Sequence, residues 1–524
     1  MLEIFSVFEM FFVLITFLLL LCFIAYYGYK KRTECLTIFK KLKVIDFILI
    51  TLLVSLRITA FVVLGIYEDP FDGASAQNWS YKCQGRVFAS DIAILEKSQE
   101  MINCHVAHAM LFGINLGFLF MITGNFSSLN GIVLNLVLSI ISAIVIYIFL
   151  IMTQRGDLKR TIGFFCALVF LFTPLLFFES SYSSVQYFGS IFVLLFYVFF
   201  YMFVKQYDKL NDFDSILFVI LFLLISCISN VKFEYAFVAF GCWFLIFIFI
   251  IKRVRYKRIM RIVFGRQKPN DNKEKQLLRY FIILSFIVLF SNIHIFARSQ
   301  MQGTLPKNPF GLKEIERNFG YMLLGDFSPY QINSLLLTFL LVSVFFLKNS
   351  ILKMFHYYGY IITMLFYYSF SLFHTFSAAY LFVVIISFLI PFILFHKNNI
   401  IKIFILSIIV ISFVFFGLEY AGDLNSDSNV KDCLNDLSFI YPPEDIFVGG
   451  WVYFDQQMVL DFYHPEIKNI GYNIRSTKVM ENKYYFWYFM GYELDPHTFA
   501  YCEDVKIIPK SCIDMKRNFL FKKC

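Results

Sequence analysis

Residues 5–27 read FSVFEMFFVLITFLLLLCFIAYY, and this stretch decides the fold of the chain. Glu9 is its only charged residue, and a helix of about 20 apolar residues is long enough to span the hydrocarbon core of a bilayer. The sequence contains further runs of the same character. It therefore predicts an α-helical polytopic membrane protein with about 12 transmembrane helices, near residues 5–27, 45–66, 131–152, 161–178, 185–204, 214–229, 233–251, 280–297, 332–347, 354–374, 378–395 and 400–419.

The composition supports this class of protein. Of the 524 residues, 59% are hydrophobic and only 16% are charged, whereas about a quarter of the residues in a soluble domain are charged. The net charge of +9 does not indicate a nucleic-acid partner, because residues 252–279 alone hold eleven Lys and Arg against two acidic residues and lie between two predicted spans. A basic segment in that position is typical of a cytoplasmic anchor.

Charge also predicts the orientation. Lys30, Lys31 and Arg32 follow the first apolar run, so we expect the N-terminus outside and the segment 28–44 inside. Alternating spans then keep the later basic segment inside, provided that one more apolar run, residues 105–122, does not cross the bilayer. We therefore predict that this run forms a re-entrant or surface-lying helix on the outer side, and that both termini are external.

The chain divides into two predicted domains. Residues 1–420 form the transmembrane domain, with external loops at 67–130 and 298–331, and residues 421–524 alternate short β-prone runs with turns, which is typical of a small extracytoplasmic α/β domain. An even number of external cysteines is typical of disulfides in an oxidising compartment, with free thiols as the alternative and the pairing left open. These cysteines are Cys83, Cys104, Cys433, Cys502, Cys512 and Cys524.

Three carboxylates follow the second predicted span at its outer end. Glu68, Asp69 and Asp72 occur in the turn YEDPFDG, residues 67–73. A carboxylate at the membrane surface, partly desolvated by apolar neighbours, suits a general base that takes a proton from an acceptor. Asp69 is the first choice for this role and Glu68 the second, because Asp72 lies further out towards water. The alternative is a solvated turn that ends the helix.

The order of these segments resembles the C-type (GT-C) integral membrane glycosyltransferases, and within them the protein O-mannosyltransferases and the lipid A aminoarabinose transferases. The resemblance extends over about residues 45–395, and the extra span at 5–27 departs from the commonest family arrangement. The stretches that carry it are YEDPFDG at 67–73, HVAHAMLFGINLGFLFMITGNFS at 105–127, LVFLFTPLLFFESSYSSVQYFGSIFVLLFYVFFYMFVK at 168–205, CISNVKFEYAFVAFGCW at 227–243 and FHTFSAAYLFVVIISFLIP at 373–391.

The resemblance implies a function and roles for particular side chains. The activity would be the inverting, carboxylate-assisted transfer of a sugar from a polyprenyl-phosphate donor to a glycan, lipid or protein acceptor on the outer face of the membrane. The acidic turn would supply the catalytic carboxylate. His105 or His108 would match the family's juxtamembrane histidine, and Glu179 or Gln186 its second acid. Lys232 would match the lysine at the entry to a later span, and His374 stands where the family has an arginine.

A lipid-phosphate leaving group needs cations near the outer face. Lys232 lies at a tight junction between two spans, and Arg298 opens the external loop 298–331. Arg57 lies about two turns below the mouth of the second span, where a lone cation is costly and is usually paired or functional. These three side chains are candidate ligands of the donor phosphate. Alternatively, Lys232 and Arg298 are ordinary interfacial side chains, and Arg57 pairs with an acid on a neighbouring helix.

Two other functions stay open at this stage: a cell-surface polysaccharide polymerase or ligase, and a polytopic transporter or flippase. The first would centre on external loops rich in Arg and His, and the second would show polar or broken helices at the bilayer midplane. We expect the cytoplasmic membrane of a prokaryote, or the ER membrane of a eukaryote. The sequence predicts no cofactor besides the lipid-linked donor, which is a substrate, and leaves the use of a divalent metal open.

Overall fold

The structure is a computed structural model that describes part of the chain. The described residues are 2–63, 81, 84–90, 109–124, 129–154, 158–173, 176–177, 180–181, 184–207, 214–254, 272–301, 389–395, 403, 407, 433, 436–450, 468–471, 483–488, 502–513 and 519–523. The membrane domain is helical. Its main helices in this part of the chain are α1 (Leu2–Lys30), α2 (Arg32–Lys41), α3 (Val44–Val63), α4 (Leu111–Thr123), α5 (Leu129–Thr153), α6 (Lys159–Phe172), α7 (Val185–Tyr207), α8 (Ser215–Ser229), α9 (Phe233–Val254) and α10 (Asn272–Met301).

Helices α1, α3, α5 and α7 are long and apolar enough to cross a membrane, and they are the 4 candidate spans within the described residues. Their apolar windows are Phe8–Lys30, Val44–Val63, Asn130–Thr153 and Val185–Tyr207. Several long apolar helices are compatible with the predicted multi-pass membrane protein. The total of about 12 spans stays a prediction, because most of the sequence from 332 to 419 lies outside the described residues.

Consecutive helices run in alternating directions. Arg160 at the start of α6 bonds to Asp46 at the start of α3, so these two helices begin at the same end of the bundle. The Tyr147 hydroxyl near the end of α5 donates to the same carboxylate, at 2.8 Å. Helix α5 therefore runs the opposite way and begins at the other end, where the Asn135 amide donates to the Ser184 carbonyl just before α7, at 2.8 Å.

We name the two ends by their residues. The polar end of the bundle contains Ser180, Ser181 and Ser184 together with the turn 230–232 between α8 and α9. The opposite end of the bundle is called the Asp46 end. The end of α9 and the start of α10, which flank the basic segment, both lie at the Asp46 end. Tyr235, near the start of α9, contacts the start of α7, and Ser291, two thirds of the way along α10, contacts α8 near its end. These contacts place the start of α9 and the end of α10 at the polar end, so the opposite ends of both helices lie at the Asp46 end.

Helix α4 lies across the polar end. The Leu111 backbone N–H at its start donates to the Asn230 carbonyl, at 3.2 Å. At its end, the Thr123 hydroxyl accepts from the Asn130 amide near the start of α5, at 3.1 Å. Gly124 then terminates α4 in the left-handed conformation, with φ of 65°. Since both ends of α4 contact the same end of the bundle, this helix does not cross it. This part of the run 105–122 therefore agrees with a re-entrant or surface-lying helix, and its placement on the outer side stays a prediction.

Helix α8 forms the centre of the bundle. It is apolar on every side, nearly all of its residues are buried, and it packs against α1, α7, α9 and α10. The ring of Tyr235 on α9 lies so close to Gly189 on α7 that a Cβ atom there would be 2.5 Å from the ring Cζ. Glycine at this position is therefore required for the close contact between α7 and α9.

Helix α6 is shorter than the sequence predicts. The hydropathy pattern predicts a span over 161–178, but the helix ends at Phe172 and Thr173 is extended, with ψ of 125°. The cause is Pro174, because a proline disfavours the helical conformation of the residue before it. The break separates the following segment from α6 and presents Ser180 and Ser181 to the neighbouring helices.

One ionic cluster joins α3, α5 and α6 at the Asp46 end. The buried Asp46 carboxylate accepts from Arg160 Nε and Nη2, at 2.7 and 3.1 Å. It also accepts from the Tyr147 hydroxyl at 2.8 Å and from the Lys43 backbone N–H at 2.7 Å. The side chain of Arg160 is 23% exposed, whereas that of Asp46 is fully buried. This cluster satisfies the carboxylate completely and fixes the relative positions of the three helices.

The C-terminal region contains a mixed β-sheet. Its strands are β1 (Ile446–Gly450), β2 (Lys468–Gly471), β3 (Tyr484–Tyr488), β4 (Glu503–Asp504) and β5 (Phe519–Lys523), in the order β2-β1-β3-β5-β4. Strand β1 is parallel to β2 and β3, and β5 is antiparallel to β3 and β4. A short helix, α11 (Lys510–Ile513), carries Cys512, which forms a disulfide with Cys433. A small sheet with short helices is the kind of domain that the sequence predicts here.

Candidate functional site

Arg57 is the most unusual charged side chain of the described membrane domain. It lies six residues before Val63, the last residue of α3, or about 9 Å along the helix axis. Arg57 is fully buried. Helix α3 itself is largely uncovered, and only 17% of its apolar window is buried. The arginine therefore points from a peripheral helix into the protein, which is typical of a functional charge in a membrane domain.

Three serine hydroxyls accept hydrogen bonds from this guanidinium. Arg57 Nε donates to Ser139 Oγ on α5 at 3.3 Å, and Nη2 donates to Ser180 Oγ and Ser181 Oγ at 2.8 and 3.1 Å. A guanidinium has five N–H donors. These contacts use three of them and leave the two hydrogens of Nη1, which has no hydrogen-bond partner among the described residues.

Each of the three serine hydroxyls donates its proton to a backbone carbonyl, so towards Arg57 it acts as a hydrogen-bond acceptor. The Ser139 hydroxyl donates to the Leu136 carbonyl at 2.7 Å. The hydroxyls of Ser180 and Ser181 both donate to the Phe177 carbonyl, at 3.0 and 2.7 Å. A serine hydroxyl has one proton and two acceptor lone pairs. The lone pairs of each hydroxyl therefore face the guanidinium. The three serines stabilise the charge of Arg57 before any ligand binds.

Aromatic faces complete the surroundings of the cation. The Arg57 guanidinium carbon lies 4.5 Å from the ring centre of Phe177 and 6.0 Å from that of Phe61. The fully buried Tyr187 on α7 is close enough for an electrostatic interaction with the guanidinium. No carboxylate of the described residues pairs with Arg57. The alternative that it pairs with an acid on a neighbouring helix is therefore not observed within this part of the chain.

Two further amide side chains lie buried at the polar end. Gln186, in the first turn of α7, is 2% exposed, and neither Nε2 nor Oε1 has a hydrogen-bond partner among the described residues. Asn230, at the end of α8, donates through Nδ2 to the Ser226 carbonyl at 2.8 Å, but its buried Oδ1 has no such partner. Lys232 follows in the same turn and is buried as well. The turn therefore places polar groups inside the protein.

The structure describes only part of the predicted site. Arg57, Gln186 and Lys232 all lie at the polar end. Arg298 lies within α10, which continues to Met301; no helix-breaking residue occurs before Gly303. The remaining predicted residues lie outside the described part of the chain, namely Glu68, Asp69, Asp72, His105, His108, Glu179 and His374.

The serine contacts of Arg57 were not predicted from the sequence, although one signal was present. Asn135, Ser139 and Ser142 are spaced at i, i+4 and i+7 and therefore share one face of α5. Polar residues on a single face of a transmembrane helix indicate that this face is turned towards protein. The run ESSYSS at 179–184, between two predicted spans, is the second contributor.

No group of three or more His, Cys, Asp or Glu residues that could hold a metal ion occurs among the described residues. Comparisons with known protein families, with characterised proteins and with solved structures found no match for this chain.

Proposed function

We propose that this chain transfers a sugar from a polyprenyl-phosphate donor to a glycan, lipid or protein acceptor at the outer face of the membrane. The observation that carries the proposal is the buried Arg57 with its serine acceptors. Asp69, in the acidic turn beyond α3, is the proposed general base. The proposed orientation places the polar end outside and the basic segment between α9 and α10 in the cytoplasm.

Arg57 has no carboxylate partner among the described residues, and a cation at this depth without one favours an anionic ligand. Moving arginine to the centre of a transmembrane helix costs about 2.5–3.5 kcal/mol on insertion scales. Serine hydroxyls provide dipoles but no opposite charge. A phosphate would accept both hydrogens of Nη1 and would neutralise the guanidinium, and charge-assisted hydrogen bonds of this kind are about twice as strong as neutral ones. The buried Lys232 at the same end is a second candidate cation for the phosphate.

A lipid phosphate fits this location better than a soluble anion. The guanidinium lies about two turns below the end of α3, at the depth where the phosphate of a membrane lipid can reach it. The same lipid would place its sugar at the polar end, close to the acidic turn that follows α3. The proposal therefore assigns phosphate binding to Arg57 and proton abstraction to Asp69.

The test is donor binding by the full-length protein in lipid nanodiscs. Arg57→Gln should weaken binding of polyprenyl phosphate at least about 10-fold, because a charge-assisted hydrogen bond contributes about 1.5–3 kcal/mol. Arg57→Lys should be intermediate, since lysine keeps the charge but not the planar geometry. Lys232→Ala tests the second cation in the same assay.

Arg160→Gln is the matched control, because Arg160 is also an arginine of the helical domain but already pairs with Asp46 at the opposite end. It should lower stability without changing the affinity for polyprenyl phosphate. Unchanged binding and sugar transfer in the Arg57→Gln, Lys232→Ala double variant would show that neither cation holds the donor.

A further inference from the structure

We propose that Gln186 recognises the sugar carried by the lipid, by binding its hydroxyl groups through the side-chain amide. This inference rests on the proposed function and extends it, because it assigns a specificity-determining residue that no phosphate-binding role requires. Its basis is a buried amide with both polar atoms unpartnered among the described residues, at the same end of the bundle as the Arg57 site.

The backbone of Gln186 is fixed on both sides. Its N–H donates to Ser184 Oγ at 3.1 Å, and its carbonyl accepts a short hydrogen bond from the Tyr235 hydroxyl. The ring of Tyr235 lies against Gly189, which leaves no space for a side chain at that position. The start of α7 is therefore held in one position relative to α9, and the amide is carried by a rigid element, as a specific binding site requires.

The side chain of Gln186 is buried without hydrogen bonds to the described residues, which lowers the free energy of unfolding. The residue is 2% exposed, and neither Nε2 nor Oε1 has a partner within the described structure. Buried polar groups are almost always hydrogen-bonded, and leaving one unpaired costs free energy that an apolar residue of the same shape would not. Among the described residues nothing offsets this cost, which is typical of a group that binds a ligand.

The amide is chemically matched to a sugar. It offers two donor hydrogens on Nε2 and acceptor lone pairs on Oε1, and a sugar hydroxyl both donates and accepts. The nearby turn adds Asn230 Oδ1, a second buried acceptor without a partner in the described residues. These groups are uncharged, so they suit hydroxyls better than an anion.

The position relative to Arg57 fits a lipid-phosphate sugar. The Gln186 N–H donates to Ser184, the Ser184 carbonyl accepts from Asn135 on α5, and Ser139, one turn further along α5, accepts from Arg57. The neutral amide and the cation therefore occur at the same end of the bundle. A lipid-phosphate sugar likewise carries its hydroxyls and its phosphate at one end of the molecule.

The test compares binding of polyprenyl phosphate with binding of polyprenyl-phosphate glucose, mannose and arabinose, using the full-length protein in nanodiscs. We expect the wild-type protein to prefer at least one sugar lipid to polyprenyl phosphate by about 10-fold, the effect of one or two hydrogen bonds. Gln186→Met, which keeps the shape and removes the polar atoms, should abolish this preference. It should leave the affinity for polyprenyl phosphate unchanged and thermal stability unchanged or higher.

Gln206→Met is the matched control, because Gln206 is the other glutamine of α7 and bonds to Tyr27 at the Asp46 end. It should keep the sugar preference. The inference is overturned if Gln186→Met keeps the preference, if it loses stability and affinity for every lipid together, or if the wild-type protein binds polyprenyl phosphate without preferring any sugar lipid. Failure of the wild-type protein to bind any of the four lipids would instead refute the proposed function.

Discussion

Replacing Asp46 or Arg160 by alanine should strongly destabilise the helical domain. The Asp46 carboxylate accepts hydrogen bonds from two guanidinium nitrogens, one hydroxyl and one backbone N–H, and it is fully buried. Removing one partner of a buried ion pair typically costs about 3–5 kcal/mol. Because Arg160 is 23% exposed, we expect the lower end of that range, about 3 kcal/mol, for either single substitution.

The double substitution separates the ion pair from the general loss of packing. If the two side chains stabilise the protein through each other, the double variant should lose about 2 kcal/mol less than the sum of the two single variants. Tyr147→Phe removes only one hydrogen bond to the carboxylate and should cost about 1.5–3 kcal/mol.

The measurement is the free energy of unfolding of the full-length protein in mixed micelles at a fixed lipid-to-detergent ratio. Two independent probes, such as tryptophan fluorescence and circular dichroism, should give coincident transitions, which supports a two-state treatment. A coupling energy below about 0.5 kcal/mol would refute the reasoning, because residues that do not interact add within that margin.

Three further predictions concern sidedness, chemistry and the C-terminal domain. Cysteines introduced within 252–279 should resist an impermeant thiol reagent in intact cells, whereas cysteines within 67–104 should react; labelling of the basic segment from outside would contradict the proposed orientation. Asp69→Asn should lower sugar transfer by about 10²–10⁴-fold at unchanged membrane abundance, and near-normal turnover would exclude Asp69 as the base. Cys433→Ser, measured by protease resistance of the C-terminal domain, should cost about 2–5 kcal/mol, and unchanged resistance would show that the disulfide is dispensable.

Hydropathy predicts the positions of most of the described helices, because burial in lipid constrains each helix separately. The predicted spans at 5–27 and 185–204 lie within α1 and α7, and 45–66 coincides with α3 to within three residues at its end. The error in α6 has a local cause, since an apolar scale does not register that Pro174 ends the helix. A small C-terminal α/β domain also follows from its alternating pattern of short runs.

The lateral packing of the helices could not be predicted in the same way. Lipid-facing and protein-facing residues of a transmembrane helix are both apolar, so hydropathy does not indicate which helix faces which. The contact of Arg57 with Ser139 joins residues 82 positions apart. The polar spacing on α5 indicates that its serine face is turned inwards, but not that α3 supplies the cation. Gln186 was predicted only as a match to a family position, because the burial of its amide depends on the contact of α7 with α9.

The peripheral position of α3 among the described helices has a consequence for the route of the proposed lipid donor. Only 17% of its apolar window is buried, compared with 72% of the window of α7. Helix α3 packs mainly against α5 and α6, and it makes no large contact with the central helix α8 within the described residues. Within the described residues, a lipid that diffuses in the bilayer would be separated from the inward-pointing Arg57 guanidinium by α3 itself, about one helix diameter or about 10 Å. The proposed donor would therefore pass along one edge of α3, which carries the charge, while the tightly packed core remained closed.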